Sequence, residues 1–304
     1  MGRERRTIRI GTRGSELARR QAEGIRGRLL ASKADLACEI VIFTTTGDRI
    51  LDRPLPEIGG KGLFTDELER ALLVGVIDLA VHSLKDLPVD DRPGLALGAV
   101  AEREDPRDAL VSARYRTLGE LPRGARVGTS SLRRGAQLLA IRPDLALLPI
   151  RGNVDTRVRK VMEGDYEAIA LAAAGLLRLG RASAIASYLS FDEMLPAPGQ
   201  GALAVQCRKD DEAALGLLAG IEHGATRAAV AAERAFLKGL GGGCSAPIAA
   251  LGRLEGDAVE LEGLVAARDG SKLIRVHGRG GDPEELGQRL ADEAIAGGAR
   301  ELLP

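Results

Sequence analysis

Strand-like and helix-like segments alternate through the first two thirds of the chain, and this alternation limits the possible folds more than any other feature of the sequence. Residues 7–10, 39–44 and 77–81 have the pattern of strands, and a helical pattern that begins near Ser15 separates the first two. A further helix is predicted after Thr65, which would be its N-cap. Alternation of this kind is typical of α/β domains, in which helices cover a mainly parallel sheet.

The same alternation starts again further along the chain. Strands are predicted at 126–128, 145–150 and 168–171. One helix is predicted to be capped by Thr129 or Ser130, and another begins near Asp155. Residues 196–201 read Pro-Ala-Pro-Gly-Gln-Gly, a turn-rich junction. Strand character returns at 202–206, which indicates that the chain crosses back into its first domain.

Beyond about Gly224 the pattern changes again. A predicted helix at 228–240 leads into Gly-Gly-Gly-Cys, and two strand-like segments precede a final helix at 283–296. This arrangement predicts a small α+β domain at the end of the chain. We therefore predict three domains: residues 1–101 with 202–220, residues 102–201, and residues 224–304.

The composition argues against several classes of protein. Of the 304 residues, 45% are hydrophobic and 28% are charged, so a folded protein is expected. Aromatic residues make up only 2% of the chain and tryptophan is absent, which argues against recognition by ring stacking. The net charge is zero, which argues against a non-specific nucleic-acid binder. Any anion would have to be bound by local groups of Arg and Lys.

Cysteine and histidine are sparse. Cys38, Cys207 and Cys244 contain no CxxC spacing, and the three histidines are far apart in the sequence. This usage favours a reducing compartment and argues against a metal site. The sequence shows neither a signal peptide nor a membrane-spanning segment. We therefore expect a cytoplasmic protein that binds no metal ion, nucleic acid or membrane.

Basic residues recur where predicted strands end. They are Arg13, Lys61, Lys85, Arg133, Arg134, Arg151, Arg157 and Arg178. Ligands of open α/β sheets bind beyond the carboxyl ends of the strands, and Arg residues near helix N-termini there suit carboxylates or phosphates. The spacing does not distinguish these two anions, and any single Arg is equally well explained as a solvated surface residue. The Gly-Gly-Lys-Gly loop around Lys61 does not match a P-loop.

Two further residues, Asp86 and Cys244, are candidates for a direct role in a reaction. Asp86 follows Lys85 at the end of a predicted strand. An ionised carboxylate there could stabilise a positively charged intermediate or transfer a proton. The alternative is that Asp86 and Lys85 form an ordinary surface ion pair. Cys244 follows three glycines that leave space beside its sulfur, which suits a nucleophile or an attachment point. Cys38 and Cys207 lie in or beside strand-like runs and fit small buried residues better.

A set of segments, in order along about four fifths of the chain, resembles the porphobilinogen deaminase family. The segments are 10–15 (Ile-Gly-Thr-Arg-Gly-Ser), 46–48 (Thr-Gly-Asp), 59–64 (Gly-Gly-Lys-Gly-Leu-Phe), 80–86 (Ala-Val-His-Ser-Leu-Lys-Asp), 103–108 (Arg-Glu-Asp-Pro-Arg-Asp), 127–134 (Val-Gly-Thr-Ser-Ser-Leu-Arg-Arg), 151–157 (Arg-Gly-Asn-Val-Asp-Thr-Arg), 195–202 (Leu-Pro-Ala-Pro-Gly-Gln-Gly-Ala) and 242–247 (Gly-Gly-Cys-Ser-Ala-Pro). Each segment alone is a weak signal, whereas the ordered set is specific.

This resemblance implies a fold and an activity. The fold would be two α/β domains like those of periplasmic binding proteins, plus a small α+β C-terminal domain that carries the cofactor. The activity would be that of a hydroxymethylbilane synthase, which joins four porphobilinogen molecules head to tail, with loss of ammonia, on a dipyrromethane cofactor. Cys244 matches the cysteine that holds this cofactor by a thioether, and Asp86 matches the catalytic aspartate. The protein would be a monomeric transferase of tetrapyrrole and haem synthesis.

The resemblance also implies which residues bind the acetate and propionate groups of the pyrroles. They are Arg13, Ser15, Lys85, Ser131, Arg133, Arg134, Arg151, Arg157 and Arg178. Lys61 belongs to a loop that would cover the cleft between the first two domains. Glu57 stands where many relatives have a lysine, and Asp155 varies among relatives, so neither is counted as functional.

Two other classes of protein remain open on the sequence. One is a two-lobed binding protein for a polycarboxylate, against which the missing signal segment and the Gly-Gly-Gly-Cys segment argue. The other is a cysteine-dependent hydrolase. Replacing Cys244 would inactivate both a hydrolase and a transferase, but only the transferase would lose a covalent chromophore.

Overall fold

The computed structural model describes residues 7–33, 35–49, 62–242 and 246–303. The chain divides into two compact units. Unit 1 comprises Met1–Ile50, Gly60–Arg103 and Ala202–Arg227, and unit 2 comprises Leu51–Gly59, Glu104–Gly201 and Ala228–Pro304. The division into three domains stays a prediction.

Helices and strands alternate from Thr7 to Ser83 and again from Arg126 to Arg178, as the sequence predicts, whereas four strands follow one another from Leu79 to Gly128. The strands are β1 (Thr7–Arg13), β2 (Ala37–Phe43), β3 (Leu79–Ser83), β4 (Leu95–Val100), β5 (Asp108–Val111), β6 (Arg126–Gly128), β7 (Ala146–Leu148), β8 (Ala168–Ala172), β9 (Ser187–Tyr188), β10 (Leu203–Arg208), β11 (Ile248–Glu255), β12 (Ala258–Ala266) and β13 (Leu273–Gly280). The α-helices are α1 (Glu16–Ser32), α2 (Thr46–Arg49), α3 (Asp66–Leu73), α4 (Leu132–Ile141), α5 (Val154–Met162), α6 (Ala173–Arg178), α7 (Glu212–Leu218), α8 (Gly224–Gly239) and α9 (Pro283–Ala296). Short 3₁₀ turns occur at Leu84–Asp86, Ala182–Ala184, Ala219–Ile221 and Ala299–Leu302.

The sheet of unit 1 has the strand order β2-β1-β3-β10-β4. Strand β1 is parallel to β2 and β3, whereas β10 is antiparallel to β3 and β4. One face of the sheet buries Ile10, Leu79 and Val205 together with Ile25 of α1. The other face packs against Leu68 and its apolar neighbours in α3. Because both faces are covered, β3 and β10 in the middle of the sheet are buried along most of their length.

The described part of unit 2 contains a sheet of the same construction. Its order is β7-β6-β8-β5-β9, with β6 parallel to β7 and β8, and β5 antiparallel to β8 and β9. The two sheets therefore share one succession of parallel and antiparallel neighbours. The predicted α/β fold class is confirmed: two α/β sheets of one construction and a small C-terminal α+β module.

The C-terminal module is the antiparallel sheet β11-β12-β13 with α8 and α9. Phe236 of α8 is fully buried against this sheet, where Gly263 leaves room for its ring: a β-carbon at Gly263 would lie 2.5 Å from the ring. The opposite side of the module packs on α4 of the same unit through an apolar cluster that includes Ala136, Leu195 and Leu264.

Several element boundaries differ from those predicted. Helix α4 is capped by Ser131 rather than Thr129 or Ser130, because the side chain of Ser131 accepts a hydrogen bond from the Arg134 N–H group. Thr65 precedes α3 as predicted, but its hydroxyl makes no capping bond. The last helix, α9, has the predicted bounds.

Candidate functional site

Three residues named in the sequence analysis lie outside the described residues. They are Lys61, Cys244 and Glu57. The cofactor attachment at Cys244 and the role of the Lys61 loop therefore stay predictions.

Lys85 and Asp86 lie in the 3₁₀ turn that directly follows β3. This turn is tied to its surroundings, because the Leu84 N–H group donates to the carbonyl oxygen of Ala202 at 3.0 Å. Both side chains are half-buried. Among the described residues, none donates a hydrogen bond to the Asp86 carboxylate. The turn thus presents a carboxylate whose oxygens are available to the N–H groups of a ligand.

Arg13 is the last residue of β1, and its guanidinium is held on two sides. It forms an ion pair with Asp48, and it lies 4.1 Å from the centroid of the Phe64 ring. The Thr45 hydroxyl donates to Asp48 at 2.7 Å. Burial alone would raise the pKa of Asp48, but the hydrogen bonds from Arg13 and Thr45 outweigh it and lower the pKa. Asp48 therefore stays ionised and fixes the direction of Arg13.

Two predicted carboxylate-binding serines are helix caps. The Oγ atom of Ser15 accepts a hydrogen bond from the Ala18 N–H group at 3.2 Å, and the Oγ atom of Ser131 accepts one from the Arg134 N–H group at 3.4 Å. A hydroxyl that accepts in this way keeps its own proton for donation. Each serine can therefore cap a helix and donate to a ligand carboxylate at the same time.

Arg133 and Arg134 converge on one buried carboxylate, that of Asp108 at the start of β5. Nη1 of Arg133 lies 2.7 Å from Oδ2 of Asp108, and Nε and Nη2 of Arg134 lie 3.0 and 2.8 Å from Oδ1. Burial lowers the pKa of Arg133, and the Asp108 charge opposes this shift. Nε of Arg133 is buried without a hydrogen-bond partner among the described residues. One carboxylate thus faces two guanidiniums.

Arg157 lies among like charges. Burial, followed by the positive charges of Arg134 and Arg151, lowers its pKa to about 10. Its Nε donates to the carbonyl oxygen of Gly152 at 2.8 Å. Arginine retains its proton at neutral pH even so, and three guanidiniums therefore lie close together here. Such a cluster is stabilised when an anion binds beside it.

Arg178 closes α6 and donates from Nη2 to the carbonyl oxygen of Gly201 at 2.6 Å. Gln200, the preceding residue, donates to Oδ1 of Asp108 at 3.2 Å. The turn-rich segment predicted at 196–201 therefore contacts both Arg178 and the carboxylate that holds Arg133 and Arg134.

His82 of β3 adds no charge near Arg13. Burial, with a smaller contribution from the Arg13 charge, lowers the pKa of His82 to about 4, so the ring is neutral at neutral pH. Its diagonal neighbour Gln206 donates to Glu69 at 3.1 Å, and Glu69 also accepts a hydrogen bond from Arg92 at 2.9 Å. The side chain of His82 is a buried part of the fold.

The sequence analysis did not assign a role to Asp48, Asp108 or Gln200. All three lie in segments that carry the family resemblance, at 46–48, 103–108 and 195–202. The sequence places acidic residues in the same segments as many arginines, but it does not show which arginine pairs with which carboxylate. Among the described residues, no group of three or more His, Cys, Asp or Glu side chains could hold a metal ion. None of the described helices has the length and apolar character needed to cross a bilayer.

Fold and site together define an α/β protein with clustered guanidiniums suited to a ligand that carries several anionic groups. Residues 8–216 match the family model "Porphobilinogen deaminase, dipyromethane cofactor binding domain", and residues 227–296 match "Porphobilinogen deaminase, C-terminal domain". The chain belongs to the porphobilinogen deaminase family. It is therefore a transferase with a dipyrromethane cofactor.

Individual relatives agree with this family. The chain is 53% identical to the porphobilinogen deaminase of Roseiflexus sp. (strain RS-1) over 98% of both chains. It is 52% identical to that of Pelotomaculum thermopropionicum, over 98% of this chain and 96% of the relative. Among solved structures, an ABC transporter periplasmic substrate-binding protein from Coxiella burnetii is 14% identical with a TM-score of 0.46, covering 75% of this chain and 96% of that one.

Proposed function

We propose that this chain is a hydroxymethylbilane synthase. It joins four porphobilinogen molecules head to tail, and each condensation releases one ammonia. One water molecule then releases the linear product, hydroxymethylbilane, and supplies its terminal hydroxyl group. The dipyrromethane, when bound, supplies the pyrrole α-carbon from which the chain is extended. The family matches over residues 8–216 and 227–296 support this assignment.

The observation that carries the proposal is the grouping of three guanidiniums, those of Arg134, Arg151 and Arg157. Every pyrrole unit of the substrate and of the cofactor bears an acetate and a propionate, so the ligand gains two carboxylates with each unit. The cluster of Arg134, Arg151 and Arg157, in which like charges help to lower the pKa of Arg157 to about 10, has the chemistry to bind such groups. The residues present therefore fit the cofactor.

All nine residues that the family resemblance implies are proposed to bind carboxylates in this way. In unit 1 they are Arg13, Ser15 and Lys85, and in unit 2 they are Ser131, Arg133, Arg134, Arg151, Arg157 and Arg178. Guanidiniums offer two parallel N–H donors to a carboxylate, which fixes its orientation as well as its position. Lys61 is proposed to belong to a loop that covers the bound ligand.

Asp86 is proposed as the catalytic carboxylate. It would accept hydrogen bonds from pyrrole N–H groups, stabilise the positive charge that develops as ammonia leaves, and assist the movement of the pyrrole proton. Its half-buried position at the fixed end of β3 supports this role, because the strand holds the carboxylate in one place.

Cys244 is proposed as the attachment point of the cofactor. The two other cysteines are poor candidates, since burial raises the pKa of Cys38 and raises that of Cys207 to about 11. Thiols with raised pKa values are weak nucleophiles at neutral pH. The protein is further proposed to act in the cytoplasm as a monomer, without a nucleic-acid or membrane partner, in keeping with its zero net charge.

A turnover assay tests the proposed function. Purified protein incubated with porphobilinogen should consume it, release one ammonia for each molecule consumed, and form a linear tetrapyrrole. Binding of porphobilinogen without consumption would instead indicate a polycarboxylate-binding protein and would refute the proposal.

A further inference from the structure

Asp108 of unit 2 receives hydrogen bonds from two arginines that the helix alone would not bring together. Arg133 and Arg134 are consecutive residues of α4, and consecutive helical side chains point about 100° apart. Both guanidiniums nevertheless reach the same carboxylate, with nitrogen–oxygen distances of 2.7 to 3.0 Å. Asp108 thus joins the two guanidiniums, and the carbonyl oxygen of Leu195 also accepts a hydrogen bond from Nη1 of Arg133 at 2.8 Å.

The position of Asp108 is itself fixed. It opens β5, which pairs with β8 in the interior of the sheet, and its side chain is fully buried. Nε2 of Gln200 donates to Oδ1 of Asp108 at 3.2 Å and to the carbonyl oxygen of Pro106 at 2.8 Å, which limits rotation of the carboxylate. Asp108 is thus a rigid anchor rather than a mobile counter-ion.

In this cluster one carboxylate faces two guanidiniums. Asp108 carries one negative charge, whereas Arg133 and Arg134 carry two positive charges and lie at 4% and 7% exposure. Asp108 uses Nε and Nη2 of Arg134 and Nη1 of Arg133. Nη1 of Arg134 and Nη2 of Arg133 are not bonded to Asp108, and Nε of Arg133 is buried without a partner among the described residues.

We infer that Asp108 is a positioning residue for the proposed reaction: it aligns Arg133 and Arg134 so that their remaining N–H donors meet a carboxylate of the growing oligopyrrole. This inference rests on the proposed function. Without the negative charge of Asp108 the two guanidiniums repel each other and separate, and a ligand carboxylate loses its paired donors.

The first test concerns positioning and needs no substrate. In wild-type protein the Nε–H proton of Arg134 should give a sharp, slowly exchanging NMR signal, because Asp108 accepts it in a buried site. The signal, identified by its loss in Arg134→Lys, should broaden or vanish in Asp108→Asn. It should persist in the control Asp144→Asn, which removes a carboxylate that holds Arg142 in the same unit. A protected Arg134 signal in Asp108→Asn would overturn the inference.

The second test concerns function. Asp108→Asn should raise KM for porphobilinogen about 10- to 100-fold, the range expected for lost charged hydrogen bonds, with a smaller change in kcat. Asp144→Asn should leave both constants unchanged. If Asp108 acts through Arg133, the double variant Asp108→Asn/Arg133→Gln should lose less kcat/KM than the product of the single losses. Losses that simply multiply would mean a general structural role and would overturn the inference.

Two provisions keep the tests decisive. If Asp108→Asn does not fold, Gln200→Met removes one hydrogen bond to the carboxylate while keeping the volume, and it should raise KM in the same direction by a smaller factor; an unchanged KM in folded Gln200→Met would then count against the inference. If the wild-type protein does not consume porphobilinogen, the proposed function fails, while the Arg134 signal still decides whether Asp108 positions the arginines.

Discussion

A β-carbon at Gly270 would lie 2.7 Å from the carbonyl oxygen of Ala136, so the turn between β12 and β13 packs directly on the main chain of α4. The same β-carbon would lie 2.5 Å from the Ala140 nitrogen, and Gly270 has a φ of +75°. Only glycine satisfies both the close approach and the left-handed backbone. The C-terminal module therefore packs against α4, the helix that contains Arg133 and Arg134.

Gly270→Ala should destabilise the protein through this contact. The strained φ and the forced separation of two backbones together predict a loss of about 2 to 4 kcal/mol in the free energy of unfolding. Gly256→Ala is the matched control, because Gly256 also has a positive φ but a β-carbon there meets nothing within 4 Å. That control should lose only about 1 kcal/mol. Urea unfolding measures both, and equal losses would contradict the proposed contact.

Asp86→Asn should reduce turnover while the protein keeps its cofactor. The amide removes the negative charge that is proposed to stabilise the developing cation, which predicts a fall in kcat of about 100-fold or more. Asp91→Asn changes an exposed aspartate shortly after it and should leave kcat unaltered. Steady-state kinetics combined with intact mass makes the comparison. Near-normal turnover of Asp86→Asn would remove Asp86 from the reaction.

Arg157→Gln should weaken the binding of carboxylate groups. Loss of a charged donor from the Arg134–Arg151–Arg157 cluster predicts a rise in KM for porphobilinogen of about 10- to 100-fold. Arg159→Gln is the control on the same helix, since Arg159 is exposed and paired with Glu163. Its KM should not change. Equal KM values for the two variants would mean that the cluster does not bind substrate.

Stability should fall between pH 6.5 and pH 4 because of His82. The pKa of His82 is lowered from 6.5 to about 4 in the folded protein, so in this interval the unfolded chain binds more protons than the folded one. The stability contributed by the neutral ring is complete above pH 6.5 and is lost as the pH falls toward 4. Between pH 7 and pH 5 the titration of His82 should lower the free energy of unfolding by about 2 kcal/mol.

The pH dependence of His82→Gln should be shallower than that of the wild type by that amount. Urea unfolding at pH 7 and pH 5 provides both slopes. Identical slopes for wild type and His82→Gln would show that His82 titrates normally in the folded protein.

Local signals in the sequence were sufficient for many elements. Helix α9 has its predicted bounds, and the structure shows Asp282 as its N-cap and Pro283 as its first residue, two signals that act within one turn. The cap of α4 was misplaced because three hydroxyl residues, Thr129 to Ser131, follow one another there. Which of them caps the helix depends on where β6 ends, and β6 ends through pairing with β7 and β8.

Partners distant in sequence were harder to predict. The cluster of arginines was found from its placement at strand ends, but the carboxylate that orders Arg133 and Arg134 lies 25 residues or more away. Likewise β5 and β9 are short, and they are strands because β5 pairs with both β8 and β9. Such contacts depend on tertiary packing, which hydrophobic periodicity does not encode.

The most direct test of the account is the mass of the purified, active protein and of its Cys244 peptide. The mass should exceed that of the sequence by two linked pyrrole units, located on Cys244, lost in Cys244→Ser, and retained in Cys38→Ala and Cys207→Ala. An unmodified Cys244 thiol in protein that converts porphobilinogen would contradict the account.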